Sequence, residues 1–187
     1  VQTVVWLRAK AVAGGVTRLA CPPDTDPPLD EPGLVEMLTQ RARLANRAHV
    51  HPVGALTVAL TRKPALKVYA VGAEGAPAQY DSWTKGTRLT GQPARTFAEG
   101  IATGSAYVLT FAALREGLSD FIKVSDAEMY AAVRDLIRIT HNLPEGAGAA
   151  GLAGLRKLAP RLAGKRVGIV MCGGNLSDRD LRIAMQG

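Results

Sequence analysis

Apolar and polar residues along this chain repeat with two different periods, and the period switches several times. Short runs rich in β-branched residues read as strands: Val16–Cys21 (VTRLAC), Leu66–Val71 (LKVYAV), Phe121–Val124 and Arg166–Met171. His49–Leu60 is a further extended apolar segment. Between these runs the spacing becomes helical. Leu34, Leu38, Ala42 and Ala45 share one face of a segment ending near Asn46, and Met129, Ala132, Val133, Leu136 and Ile137 share another. Ala106–Glu116, the stretch from Glu145 to about Leu158, and a short piece at Ala78–Thr84 complete the predicted helices.

The boundaries carry their own chemistry. Pro22–Pro28 (PPDTDPP) is a breaker cluster after the first strand, and Pro64 marks another break. Asp30 is placed to cap the first helix, with Glu31 and Pro32 in its opening turn, where a negative charge suits the dipole and a missing amide costs nothing. Gly117 reads as a helix stop. Ser125–Glu128 (SDAE) reads as a capping box, and the helix it opens should end near His141–Asn142. Strands alternating with helices predict an α/β fold, a mainly parallel sheet flanked by helices.

Composition narrows the class. Hydrophobic residues are 47% and charged residues 21% of the 187, a balance suited to a globular chain. The apolar runs are too short to span a bilayer, so no membrane partner is expected. The net charge of +7 favours anionic partners, but aromatics are only 5% and are not interleaved with the basic residues. Nucleic acid is therefore disfavoured; an acidic protein or self-association is the expected partner class. Cys21 and Cys172, the two cysteines, lack metal-ligand spacing and read as buried thiols of a cytoplasmic protein.

Five separated motifs carry a resemblance. They are LKVYAVGAEGAPAQYDSW (Leu66–Trp83), TFAEGIA (Thr96–Ala102), FIKVSDAEM (Phe121–Met129), THNLPEGAGAA (Thr140–Ala150) and VGIVMCGGN (Val167–Asn175). In this order they resemble the end of the large domain of threonine dehydratases, fold-type II pyridoxal-phosphate enzymes. Val12 to about Leu60, with Gly-Gly-Val-Thr, a Pro-rich loop and His-Pro-Val-Gly-Ala-Leu-Thr, resembles the early barrel region of dihydroorotase-like proteins. A whole barrel of that kind needs about 250 residues. The expected division is residues 1–61 and 62–187, joined near Thr61–Ala65, either as two pieces or merged into one domain.

The dehydratase resemblance implies a cofactor site. Cys172 takes the position facing the pyridine nitrogen, Gly173, Gly174 and Asn175 form the turn beside it, and Glu145 and Gly148 lie near the ring edge. Taken without the resemblance, Gly173–Gly174 reads as a plain strand-end turn and Glu145 as a charge at a helix N-terminus. The resemblance also implies a lysine that holds the cofactor and a Gly-rich phosphate loop, and no lysine here follows that pattern. The family's optional metal carboxylates would fall at Gly72 and Ala78, with Glu74 two residues away. His49-Val50-His51 is an isolated pair of imidazoles, and Asp24 and Asp26 suit turn chemistry. These inventories lead to the expectation of a chimeric, recombined or designed protein with no catalytic residues, no metal site and no required cofactor. The alternative is a pyridoxal-phosphate-binding remnant of a threonine/serine ammonia-lyase, active when complemented by the lysine-bearing segment.

Overall fold

The computed structural model describes residues 18–21, 32–44, 49–52 and 65–187. The chain divides into two units, residues 1–68 and 69–187. In the first, β1 (Arg18–Cys21) and β2 (His49–Pro52) pair in parallel, with Arg18 opposite His49 and Cys21 opposite Pro52. Helix α1 (Pro32–Leu44) connects them and packs on β2, a β-α-β arrangement. Leu38 of α1 is buried, as its place on the apolar face predicts. Asp30, Glu31, Ala45 and Asn46 lie outside the described residues, as do Asp24 and Asp26 and most of the His49–Leu60 segment.

The second unit is built on β3 (Tyr69–Ala73) and β4 (Asp120–Val124), again parallel, with Tyr69 opposite Asp120 and Ala73 opposite Val124. Leu66, expected in β3, precedes it and is exposed. Between the strands come α2 (Ala78–Lys85), a 3-10 turn at Glu99–Ile101 and α3 (Val108–Gly117). Gly86 ends α2 in the left-handed region at φ 72°, its amide donating to Ser82 O at 2.9 Å. Gly117 is the last residue of α3 rather than its stop, and Leu118 caps the end.

Helix α4 (Asp126–Thr140) begins with the capping box. The Glu128 amide donates to Ser125 Oγ at 3.3 Å, and the Ser125 amide donates back to Glu128 Oε2 at 2.7 Å. It ends at His141, whose φ of 56° is the left-handed stop. Helix α5 (Gly146–Leu162) continues past the expected end near Leu158 through Pro160. Helix α6 (Asp178–Gln186) was not anticipated, although Ser177 caps it by accepting from the Asp180 amide at 3.1 Å. Small alanines dominate the core between β3, β4, α4 and α5. Ala73, Ala132, Ala149 and Ala153 pack around Val124, Met129 and Val133.

Arg166–Met171, read above as the last strand, is not one. Residues 166–177 have no regular secondary structure, and Val167, Ile169, Val170 and Met171 are all exposed. A strand exists only through a ladder partner, and among the described residues this run has none. The expectation of a buried Cys172 fails for the same reason: the thiol is free and exposed. Among the described residues no helix is long and apolar enough to cross a membrane.

Ion pairs tie the second unit together. Arg161 Nη1 lies 2.6 Å from Asp120 Oδ2, and Lys157 Nζ lies 2.9 Å from Glu128 Oε2 while donating to Lys123 O at 2.8 Å. The hydrogen bond from Arg161 holds the Asp120 carboxyl below its usual range. Hydrogen bonds from Ser177 and then Tyr130 do the same for Asp180. At Glu128, burial pushes upward, but the Ser125 amide, Lys157 and the Ser125 hydroxyl outweigh it and the net shift is down. Carboxylates lowered in the folded state add stability above their unfolded values, and that stability is lost as pH falls through the folded values. Thermal unfolding should therefore change little between about pH 7 and pH 5 and weaken below about pH 4. Asp180→Asn should reduce that acid sensitivity; an unchanged slope would mean Asp180 does not contribute.

Candidate functional site

The N-terminus of α5 is where the candidate residues meet. Leu143, Pro144 and Glu145 lead into it, and the Glu145 amide donates to Gly173 O at 3.2 Å. Pro144 is completely buried, which fixes this approach. The Glu145 carboxylate lies where a side chain on Gly173 would be: a Cβ there would come within 2.3 Å of its Cδ. Gly173 also has a φ of 72°, which glycine adopts without strain. Near the start of α5, a Cβ on Gly148 would come within 1.9 Å of Cys172 O. Helix and turn thus pack backbone against backbone, and only glycine permits that approach.

A third segment joins them that sequence reasoning did not assign to the site. Gly100, in the Glu99–Ile101 turn, is exposed, and a Cβ on it would lie 3.1 Å from Glu145 Oε1 and 2.9 Å from Ala147 Cβ. The signal was available, because TFAEGIA was among the motifs carrying the resemblance; its glycine was not singled out. Of the expected site residues, Glu145, Gly148, Cys172 and Gly173 are brought together directly. Gly174 follows against Leu143 O, at 3.1 Å from a built Cβ, and Asn175 is exposed beyond it. The result brings glycine backbone, one half-buried carboxylate and one exposed thiol together at the start of α5. Glycine backbone accepts a close neighbour that a side chain would block; over Gly173 that neighbour is the Glu145 carboxylate.

The metal positions are different. Gly72 ends up against the Phe121 ring, 3.1 Å from a built Cβ to Cε2, and Ala78 is buried. β3 stops at Ala73, so Glu74 does not continue its face; it lies 3.4 Å from Lys157 Nζ instead. Among the described residues no cluster of three or more His, Cys, Asp or Glu could hold a metal ion. The His49 and His51 backbones lie in β2, and their side chains are outside the described residues.

Comparison with known proteins defines the class. The pyridoxal-phosphate dependent enzyme family matches residues 51–173, and the chain belongs to that family. An L-threo-3-hydroxyaspartate ammonia-lyase from a Pseudomonas species is 38% identical over 81 residues, covering 43% of this chain and 25% of that enzyme. An L-threonine ammonia-lyase from Thermotoga maritima is 34% identical over 128 residues, covering 66% of this chain and 31% of that enzyme. Among solved structures, a threonine deaminase from T.th. superposes with a TM-score of 0.61 at 25% identity, covering 91% of this chain and 54% of that one. The chain therefore spans about a third or less of these two curated relatives and about half of that structure.

Two expectations change. The reading as a non-catalytic chimeric or designed protein is overturned by the family match and by relatives that are ammonia-lyases. The expectation that no cofactor is required goes with it, since the family is defined by pyridoxal phosphate. The barrel resemblance persists only as a short partial match. A dihydroorotase-like protein of Pseudomonas aeruginosa is 55% identical over 47 residues, 25% of this chain and 11% of that protein.

The packing at α5 gives a direct test. Gly151→Ala should be tolerated, because its Cβ would meet Ile169 Cβ at an ordinary 3.4 Å; the gain in helix propensity is up to about 1 kcal/mol. Gly148→Ala should lose about 1–3 kcal/mol, because the Cys172 carbonyl must move. Denaturant unfolding of the two variants measures the difference, and equal stabilities would refute the close approach.

Proposed function

We propose that residues 96–175 form the ring-binding side of a pyridoxal-phosphate site in an ammonia-lyase of the threonine/serine type. The observation that supports this most is the meeting of Gly100, Glu145 and Gly173 beside the exposed Cys172. The names of the relatives supply the reaction class, removal of ammonia from a small hydroxy amino acid. Pyridoxal phosphate, when bound, supplies an electron sink for charge left on the substrate carbon.

The chain's own residues orient that group. Gly173 and Gly174 keep the turn beside Cys172 free of side chains of their own, with Glu145 packed against Gly173. Cys172, a weak donor and weak acceptor, offers the ring nitrogen a neutral partner. Glu145 supplies a fixed carboxylate beside the ring edge. The amine that holds the cofactor and the groups that grip its phosphate come from outside residues 65–187. Of the five lysines in residues 65–187, Lys157 is held in ion pairs and Lys123 lies over the Tyr80 ring at 4.3 Å, and none of the five follows the family's pattern. A cytoplasmic setting and an acidic protein partner are the accompanying proposals, from the cysteine usage and the +7 charge.

Thermal unfolding of the full chain with and without pyridoxal phosphate tests the reading. At a hundred times its dissociation constant the cofactor should add about 2.7 kcal/mol, and Cys172→Ala should weaken that gain. Stability indifferent to the cofactor would contradict a ring site. Threonine or serine should release ammonia only when the segment supplying the amine is present with this one.

A further inference from the structure

The carboxylate of Asp126 has no part in the site described above, yet both of its oxygens face the segment that delivers Gly100. Thr96 Oγ1 donates to Asp126 Oδ1 at 2.5 Å, and the Phe97 amide donates to Asp126 Oδ2 at 3.4 Å. The Ala98 amide donates to Thr96 Oγ1 at 3.2 Å, and the Ile101 amide to Ala98 O at 3.0 Å. Linked hydrogen bonds therefore run from the first turn of α4 through Thr96 and Ala98 to Ile101, the residue after Gly100. Asp126 is well placed to anchor them, since a carboxylate is favoured at a helix N-terminus.

A second contact fixes the same segment from the side. The Phe97 ring stacks on Tyr130 of α4, with centroids 3.8 Å apart and planes 12° from parallel. The edge of the ring lies against α5, where a Cβ on Gly146 would be 2.7 Å from Phe97 Cε2. Tyr130 in turn donates to Asp180 Oδ1 of α6 at 2.7 Å. Phe97 is thus clamped between α4 and the residue that follows Glu145. The segment has one position relative to the carboxylate, and the hydrogen bonds of Thr96 set its height along α4.

We propose that Asp126 and Thr96 are positioning residues: they hold residues 96–101 so that the exposed Gly100 backbone stays packed beside Glu145 at the edge of the ring site. The inference rests on the ring-site reading and adds which residues hold Gly100 in place beside Glu145. Neither residue touches the cofactor; both act through Gly100. Thr96→Val keeps the shape and removes the hydroxyl, whereas Thr96→Ser restores it.

The experiment measures the dissociation constant of pyridoxal phosphate for the full chain and hydrogen exchange across residues 96–102, in wild type and both variants. Thr96→Val should weaken binding about tenfold, the reach of one well-placed hydrogen bond, and speed exchange in this segment. Thr96→Ser should recover both, and the melting temperature should move far less than the affinity. Wild-type affinity in Thr96→Val would overturn the proposal even if exchange accelerates. Absence of binding by the wild type would instead bring down the ring-site reading, and this inference with it.

Discussion

The close approach of the α5 N-terminus to the turn at Cys172–Gly174 is the constraint on which the candidate site depends. It is made by absent side chains. Gly148 lets the helix meet the Cys172 carbonyl, and Gly173 leaves room for the Glu145 carboxylate. A methyl at either place would push the two segments apart. The buried Pro144 sets the angle at which the chain enters α5, so the carboxylate arrives where the turn is open.

The rest of the second unit supports that arrangement from below. β3 and β4 give α5 a surface, and Gly154 lets the helix descend onto Val71, 2.5 Å from a built Cβ to Cγ2. Alanines fill the interface, since larger side chains would lift the helix from the strands. Ion pairs from Lys157 and Arg161 fasten the far side of α5 to β4 and the start of α4. Net pair energies are small at such exposed positions; their use is to fix the helix rotation that turns Gly148 toward the turn.

Much of this was legible in the sequence where local chemistry decides. The capping box at Ser125 and the stop at His141 follow from side chains reaching neighbouring backbone, and both formed as read. The parallel pairing followed from strands separated by helices. Arg166–Met171 was misread because its apolar pattern specifies a strand only if a neighbour exists, and sequence periodicity carries no information about that neighbour. α6 was missed although Ser177 and Asp180 spell its cap. For the site, Glu145 and Cys172–Gly174 came from motif resemblance, while Gly100 emerged only when the fold carried a segment distant in sequence to the same place. The groups missing from the chain led to the expectation of a non-catalytic designed protein, and the family match overturns that reading.

Three separate segments meet at the start of α5, and the proposed ring site is built on them. Backbone amide chemical shifts of the full chain, followed as pyridoxal phosphate is added, test that surface most directly. Shifts concentrated at Gly100, at Glu145–Ala147 and at Gly173 are the predicted result. Shifts confined to the basic residues just beyond α5, around Lys165 and Arg166, would show an anion attracted by charge alone and would contradict it.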